Sequence, residues 1–230
     1  MENEACVSVY DVEGGGFDPT RDDGNGGEVD WDDVKGSPVI TIPLNRDVKA
    51  TNVEFLTLNK SLFVTFDDGS IRLYDHRTGE CTREFSAHGK KINRVKFNRD
   101  KTMFITSSAD FTSKLYDAVD MEHLKTYKTD RPVNAAVMHP TREHILLGGG
   151  QEAMSVTTTG SRSGKFETKF FHSVYQTEFG IVKGHFGPIN AIDVNPDGKS
   201  YASGAEDGYI RLHFFDEDYW RDNDPVPEEE

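Results

Sequence analysis

The chain has 230 residues and a formal net charge of −14. This length favours one large domain with a sizeable core over two small domains. The acidic balance argues against a nucleic-acid-binding surface as the main function, because such domains are usually basic, and it favours partners with basic patches. Frequent glycines and an aromatic content of 11% fit many short strands joined by turns.

Membrane and secretory signals are missing from the sequence pattern. No apolar run approaches the ~18 residues of a membrane span, and the first residues lack the basic and apolar regions of a secretory leader. The two cysteines, Cys6 and Cys81, are too few and too far apart to indicate a disulfide framework. We therefore expect a chain of the reducing cytoplasm, without a membrane contact.

The predicted elements, taken in chain order, form a repeat. Residues 7–12 and 38–42 read as two strands of a half-unit, separated by an acidic, glycine-rich stretch over residues 13–36 that predicts a mobile loop. Two units of four strands follow, with first strands over residues 48–56 and 92–97. A third unit starts at residues 133–138 and has a long loop between its second and third strands.

The last unit has three predicted strands between residues 189 and 215, and an acidic, Pro-rich tail over residues 222–230 predicts disorder. Both acidic segments could be interaction arms, although charge runs more often only stay hydrated. We place the boundary of a single folded domain at residues 1–221.

Similar sequences recur at the third strands of these units. DGSIRLYD, DFTSKLYD and DGYIRLHF begin at Asp68, Asp110 and Asp207, and His88 and His185 each precede the Asp of their unit by 22 residues. Four short strands per unit of about 40–45 residues are typical of WD repeats. The sequence thus predicts an all-β, incomplete WD-repeat β-propeller, with about four to five blades where about seven are expected. A fragment, or blades supplied from elsewhere, would account for this count, and we favour the fragment.

Two recurring sets of polar residues could be mistaken for hydrolase triads. One set contains His88, Ser107 or Ser108, and Asp110, and the other contains His185, Ser203 and Asp207. Recurrence once per blade favours instead a buried hydrogen-bonded network that fixes blade packing, with Tyr116 and His213 in its aromatic position. No enzyme activity is expected.

Neither a cofactor nor a metal site is predicted. Residues 160–166, GSRSGKF, depart from the phosphate-loop motif in glycine spacing and in the residue after the lysine. His139 and His144 have no third ligand at zinc-site spacing.

Binding surfaces are the stronger hypothesis. Asp100 lies in a first-to-second-strand turn and Asp117 in a third-to-fourth-strand turn of one blade, so both face one end of it and could attract a basic segment. Ordinary surface charge is the alternative explanation. Gln151, in the long loop of the third unit, belongs to the opposite end and is a second candidate, because long loops on rigid scaffolds often bind partners.

Several stretches resemble subunit i of eukaryotic translation initiation factor three, a WD-repeat family. They are LGGGQEAMSVTTT, GKFETKFFH, VKGHFGPIN and DGKSYASGAEDGYIRLH, and FITSSADFTSKLYD and LKTYKTDRPVNAAV also resemble it. The resemblance implies a non-catalytic scaffold that docks a C-terminal segment of subunit b, contacts subunit g and reaches the small ribosomal subunit through the complex. Because of the net charge of −14, we expect no direct nucleic-acid contact. The alternatives are another WD adaptor, of the receptor-kinase-associated or ubiquitin-ligase recruitment type, and an enzyme that uses the His-Ser-Asp sets.

Overall fold

The computed structural model describes residues 6–9, 40–44, 47–56, 61–150 and 166–221. Within these ranges all strands pair antiparallel, and one short helix follows the last strand. The predicted all-β fold with propeller-type blades is therefore confirmed, and the described strands do not close a ring. The predicted acidic loop over residues 13–36, Gln151 and the tail over residues 222–230 lie outside the described residues. The boundary at residue 221 stays a prediction.

Each sheet is a meander whose strands follow one another in the chain. The half-blade pairs β1 (Cys6–Val9) with β2 (Ile40–Pro43). The first full blade contains β3 (Ala50–Phe55), β4 (Ser61–Phe66), β5 (Ser70–Asp75) and β6 (Cys81–Ser86). The second contains β7 (Ile92–Phe97), β8 (Met103–Ser108), β9 (Thr112–Asp117) and β10 (His123–Lys128). The third contains β11 (Val133–Met138), β12 (His144–Gly149), β13 (Glu167–His172) and β14 (Glu178–Lys183). The last contains β15 (Ile189–Val194), β16 (Ser200–Ala205) and β17 (Ile210–Phe214), and the helix α1 (Glu217–Arg221) follows it.

The core consists of layers between successive blades. In the layer between the first and second full blades, Phe63 of β4 packs edge-on against Phe104 of β8, with ring centroids 4.9 Å apart. The middle strands are buried on both faces because a blade lies on each side, so β4 reads as the nearly continuous apolar run SLFVTF. On the last blade, Ile210, Leu212 and Phe214 are exposed, since no described residue covers the outer face of β17.

The inner strands β3, β7, β11 and β15 approach one another around a common axis. The run Gly148-Gly149-Gly150 has its physical reason in this crowding. A Cβ on Gly149 would stand 2.0 Å from the carbonyl oxygen of Pro132, and one on Gly148 would stand 2.4 Å from Cδ1 of Ile192 in the next blade. Only glycine permits this approach of backbone to backbone and of blade to blade.

A ladder of asparagine side chains joins the inner strands. Asn93, Asn134 and Asn190 each occupy a β-bulge at the second position of their strand. Asn52 donates to the Asn93 carbonyl (3.4 Å), Asn93 donates to the Val133 carbonyl (2.8 Å), and Asn134 donates to Oδ1 of Asn190 (2.9 Å). Successive blades are thus hydrogen-bonded as well as packed.

The helix α1 was not predicted. It begins after Asp216, whose Oδ1 accepts the N–H of Tyr219 (2.9 Å) as an N-cap. Instead of continuing as a fourth strand of the last blade, the chain turns back to the third blade. There the hydroxyl of Tyr219 lies 2.6 Å from Nδ1 of His144, and Arg142 donates to the Trp220 carbonyl (2.8 Å).

The glycine run provides a test of the close packing of β12 against the chain just before β11 in the third blade. Gly149→Ala should lower the free energy of unfolding by roughly 1–3 kcal/mol, because the added methyl group would overlap the Pro132 backbone. Gly89→Ala is the matched control, since nothing lies within 4 Å of a Cβ at that position. Urea unfolding of both variants, followed by circular dichroism, measures the difference. Equal midpoints for Gly149→Ala and the wild type would contradict this explanation of the glycine run.

Candidate functional site

The recurring polar set of the second blade is buried and hydrogen-bonded. Nδ1 of His88 lies 2.9 Å from Oδ2 of Asp110, and its Nε2 lies 2.7 Å from the hydroxyl of Thr106. Thr106 therefore takes the place in which we expected Ser107 or Ser108. Strand alternation explains the error for Ser107, whose side chain points to the other face of β8 and donates to the carbonyls of Arg94 and Asn134.

The remaining two residues considered for this blade also differ from the expected contacts. Ser108 is on the same side of β8 as Thr106 but lies at the strand end, where it donates to the carbonyl of Lys91 (3.0 Å). Tyr116 contacts the backbone instead of the His88–Thr106–Asp110 set. Its hydroxyl lies 3.3 Å from the Ala87 carbonyl, and its ring stacks on Phe104.

In the last blade the structure brings the expected residues together. His185 places Nδ1 3.0 Å from Oδ2 of Asp207 and Nε2 2.9 Å from the Ser203 hydroxyl. His213 lies 3.4 Å from that hydroxyl and stacks on Tyr201. Oδ2 of Asp207 also accepts the N–H of Phe186 (2.9 Å), and its Oδ1 accepts the N–H of Tyr209 (3.0 Å). One carboxylate therefore connects the loop before the blade to the turn before β17.

Burial and hydrogen bonding shift the pKa values of these histidine and aspartate side chains. Burial lowers the pKa of His88, and the attraction of Asp110 opposes this effect without reversing it. Burial works against ionisation of Asp110, but hydrogen bonds from Thr112 and His88 outweigh it and lower the pKa of Asp110. The N–H of Phe186 is the main cause that lowers the pKa of Asp207 to about 2.

A different site is present at the end of the blades that carries the first-to-second-strand and third-to-fourth-strand turns, which we call the docking face. In the second blade, the N–H of Ala118 donates to the Thr102 carbonyl (2.8 Å), so the turns that hold Asp100 and Asp117 lie side by side. Asp100 is exposed. Its neighbour Lys101 reaches away to the first blade, where Nζ lies 2.6 Å from the Phe55 carbonyl and 3.8 Å from Glu54.

Asp117 stabilises its own turn in addition to carrying a negative charge. Its Oδ1 accepts the N–H groups of Asp120 (3.0 Å) and Val119 (2.7 Å), and these bonds lower the pKa of Asp117. The carboxylate therefore builds the turn in which it stands. The structure thus places Asp100 and Asp117 on adjacent turns, as expected, while it shows that they are not equivalent.

The described turns of the docking face hold more carboxylates than basic side chains. The carboxylates are Asp75, Glu80, Asp100, Asp117, Asp120, Glu122, Glu143 and Asp197. The basic side chains are Arg77, Arg99, Lys101, Arg142 and Lys199. This face therefore carries a negative field that can steer a basic partner.

An apolar groove lies beside these turns, between the second and third blades. It has a volume of about 440 Å³. Its apolar lining consists of Met103, Leu115, Leu124, Met138, Ile145 and Val174, and its polar lining consists of Lys125, His139, Arg142, Glu143, His144 and Ser173. Leu124 and Val174 are 40% and 44% exposed, although side chains of this size are usually buried. Sequence reasoning missed the groove, and these apolar residues in an outer strand and a turn are the signal that could have indicated it.

The histidines near α1 form an aromatic cluster. The rings of His139 and His144 have centroids 6.3 Å apart, and Nε2 of His139 lies 2.9 Å from the Gly198 carbonyl. Across the part of the chain that the structure describes, no group of three His, Cys, Asp or Glu side chains is arranged to hold a metal ion. In the same residues, no helix has the length and apolar character needed to cross a membrane.

The Asp207 network predicts a pH-dependent difference in stability. Asp207→Asn should lower Tm by several degrees at pH 7, because an uncharged amide accepts the surrounding N–H groups more weakly. Since folding lowers the pKa of Asp207 from 3.8 to about 2, its ionised form stabilises the fold above pH 4 and this contribution is lost as the pH falls toward 2. Calorimetry from pH 7 to pH 3 should show the difference between wild type and variant narrowing below pH 4. Asp193→Asn, at a carboxylate that is 60% exposed, is the control, and an equal loss in both variants would contradict the assignment.

Comparison with known proteins places the chain. The EIF3I family model matches residues 28–223. The human protein named eukaryotic translation initiation factor 3 subunit I is 44% identical over 220 residues, which are 96% of this chain and 63% of that protein. Proteins of the same name from Xenopus tropicalis and Xenopus laevis are 45% identical over 220 residues and 48% identical over 183 residues. The chain spans less than two thirds of the length of these relatives. Because the family model covers most of its residues and the identity extends over nearly all of it, the chain belongs to the EIF3I family.

Proposed function

We propose that the protein is a non-catalytic scaffold subunit of the translation initiation factor 3 complex. It docks other subunits, with subunits b and g as the expected partners, and contacts the small ribosomal subunit through the complex in the cytoplasm. The observation that carries this proposal is the 44% identity over 96% of the chain to proteins named eukaryotic translation initiation factor 3 subunit I.

Burial of the polar sets supports a structural role over catalysis. The hydroxyl-bearing residues Thr106 and Ser203 are 0% and 1% exposed, and the partner histidines are buried as well. A nucleophile must reach its substrate, so a hydroxyl enclosed between strands has no access to one. The same hydrogen bonds satisfy polar groups that would otherwise be costly to bury.

The docking face has the features that an amphipathic, basic segment requires. Asp117 lies two residues beyond Leu115, which lines the apolar groove, so carboxylates and apolar surface are adjacent. A helix or strand with basic residues along one side and apolar residues along the other would meet both at once. Complementary charge would speed its association and fix its register, while burial in the groove would supply affinity.

Affinity purification of the tagged chain from its own cell extract, with mass spectrometry, tests the proposed membership. Recovery of initiation factor subunits b and g together with small-subunit ribosomal proteins is the expected result. An unrelated set of adaptor partners, or chaperones alone, would contradict a scaffold role for this chain.

Charge reversal at the docking face provides a direct binding test. The variant combines Asp100→Lys with Asp117→Asn, because asparagine keeps the acceptor oxygen that caps the 117–120 turn while it removes the charge. Binding to the C-terminal segment of subunit b should weaken by roughly 1–3 kcal/mol at low salt, and this loss of binding free energy should diminish at high salt. Titration calorimetry at two salt concentrations measures both effects.

Asp130→Lys is the control for this variant, since it reverses a charge at the opposite end of the blades. Undiminished binding by the docking-face variant would remove Asp100 and Asp117 from the interface. Equal weakening by the control would show a general effect of net charge.

A further inference from the structure

A second cavity lies near the axis, at the end of the blades opposite the docking face. It has a volume of about 240 Å³, and we call it the axial pocket. Its lining consists of Lys91, Asn93, Arg94, Asn134, Pro188, Asn190 and Glu206. Proline is the single apolar residue among them, so the pocket suits a polar ligand.

The amides of the pocket are held in fixed positions. Asn93 donates to the Val133 carbonyl (2.8 Å) and Asn134 donates to Asn190 (2.9 Å), so each amide bonds across a blade boundary. The fully buried hydroxyl of Ser107 lies 3.2 Å from the Arg94 carbonyl and 3.1 Å from the Asn134 carbonyl, which fixes the backbone of the lining. A ligand would therefore meet a lining that is already ordered, at a small entropic cost.

The charge of the pocket is positive, in contrast to that of the chain. Among the described residues, neither Lys91 nor Arg94 has a carboxylate within ion-pair distance. Lys96, further along β7, is by comparison paired with Asp193 at 2.8 Å. Glu206 is the one carboxylate in the lining, and its Oε1 accepts the Asn190 amide (3.2 Å).

We propose that the axial pocket binds a small molecule that carries phosphate groups. Two unpaired cations offer charge to several oxygens at once, and the guanidinium of Arg94 can donate to two of them. The Asn134 and Asn190 amides each have a second N–H besides the one that they donate within the protein. A long nucleic-acid strand is disfavoured because the chain carries a net charge of −14, which repels an extended polyanion, whereas a small anion contacts only the local positive lining. The pocket is at the other end of the blades from Asp100 and Asp117, so this proposal is independent of the docking proposal.

Titration calorimetry with pyrophosphate at constant ionic strength tests the proposal, with citrate and an oligouridine as comparison ligands. Pyrophosphate should bind saturably, and the double variant Lys91→Gln and Arg94→Gln should bind it about tenfold more weakly or worse. Lys96→Gln is the matched control, because it removes a cation of the same strand that is already paired, and it should stay close to wild type. Both substituted cations are exposed, so Tm should remain unchanged.

Several results would overturn the proposal. They are no saturable pyrophosphate binding up to about 10 mM, equal binding by the double variant, and equal weakening by Lys96→Gln. Citrate binding as tight as that of pyrophosphate would overturn the phosphate assignment, and tighter binding of oligouridine would overturn the small-molecule assignment. Asn190→Asp gives an independent arm, because a new carboxylate at the mouth of the pocket should weaken pyrophosphate binding without removal of either cation.

Discussion

The close approach of the inner strands is the constraint on which the rest of the structure depends. Blades can bury the apolar faces of their middle strands only if their inner strands crowd around the axis, and there a methyl group at Gly148 would overlap Ile189 and Ile192 of the next blade. Crowding also brings backbone carbonyls close to the neighbouring blade, and the Asn52 and Asn93 amides donate to them across blade boundaries. Asn93 also lines the polar cavity at one mouth of the axis. Packing, hydrogen bonding and a candidate ligand site thus share one cause.

Two half-buried carboxylates extend this order to the rims of the blades. Asp110 and Asp207 each accept hydrogen bonds from a histidine, from the loop before the blade and from the turn before the third strand. A rim fixed in this way can present side chains at defined positions, which is what a protein needs if it acts by holding others. Rigidity of the blades and a binding function are therefore compatible without any reacting group.

The fold could be predicted from sequence because its determinants are local. Alternating apolar residues and the repeated Asp turn recur at fixed intervals, so strands and blades follow from short-range pattern. Features that depend on which side chains meet in three dimensions were harder to predict. The hydroxyl partner of His88 depends on which face of β8 a residue occupies, and the groove beside Asp117 depends on how two blades meet. The asparagine ladder had a sequence signal, the 41-residue step from Asn52 to Asn93 and on to Asn134, which has meaning only once the inner strands are adjacent.

The helix α1 also could not be predicted from local sequence, and it affects which part of the molecule unfolds first. Its five residues are too few to be stable alone, so the sequence gives no helical periodicity and contacts with the third blade must hold it. A terminal repeat usually frays first because it has one neighbour. Here Tyr219 and Trp220, which follow the last blade, hydrogen-bond to His144 and Arg142 of the third blade. The two blades are therefore connected at a second place besides their inner strands, whereas among the described residues β1 and β2 pair only with each other, so we expect opening to begin there.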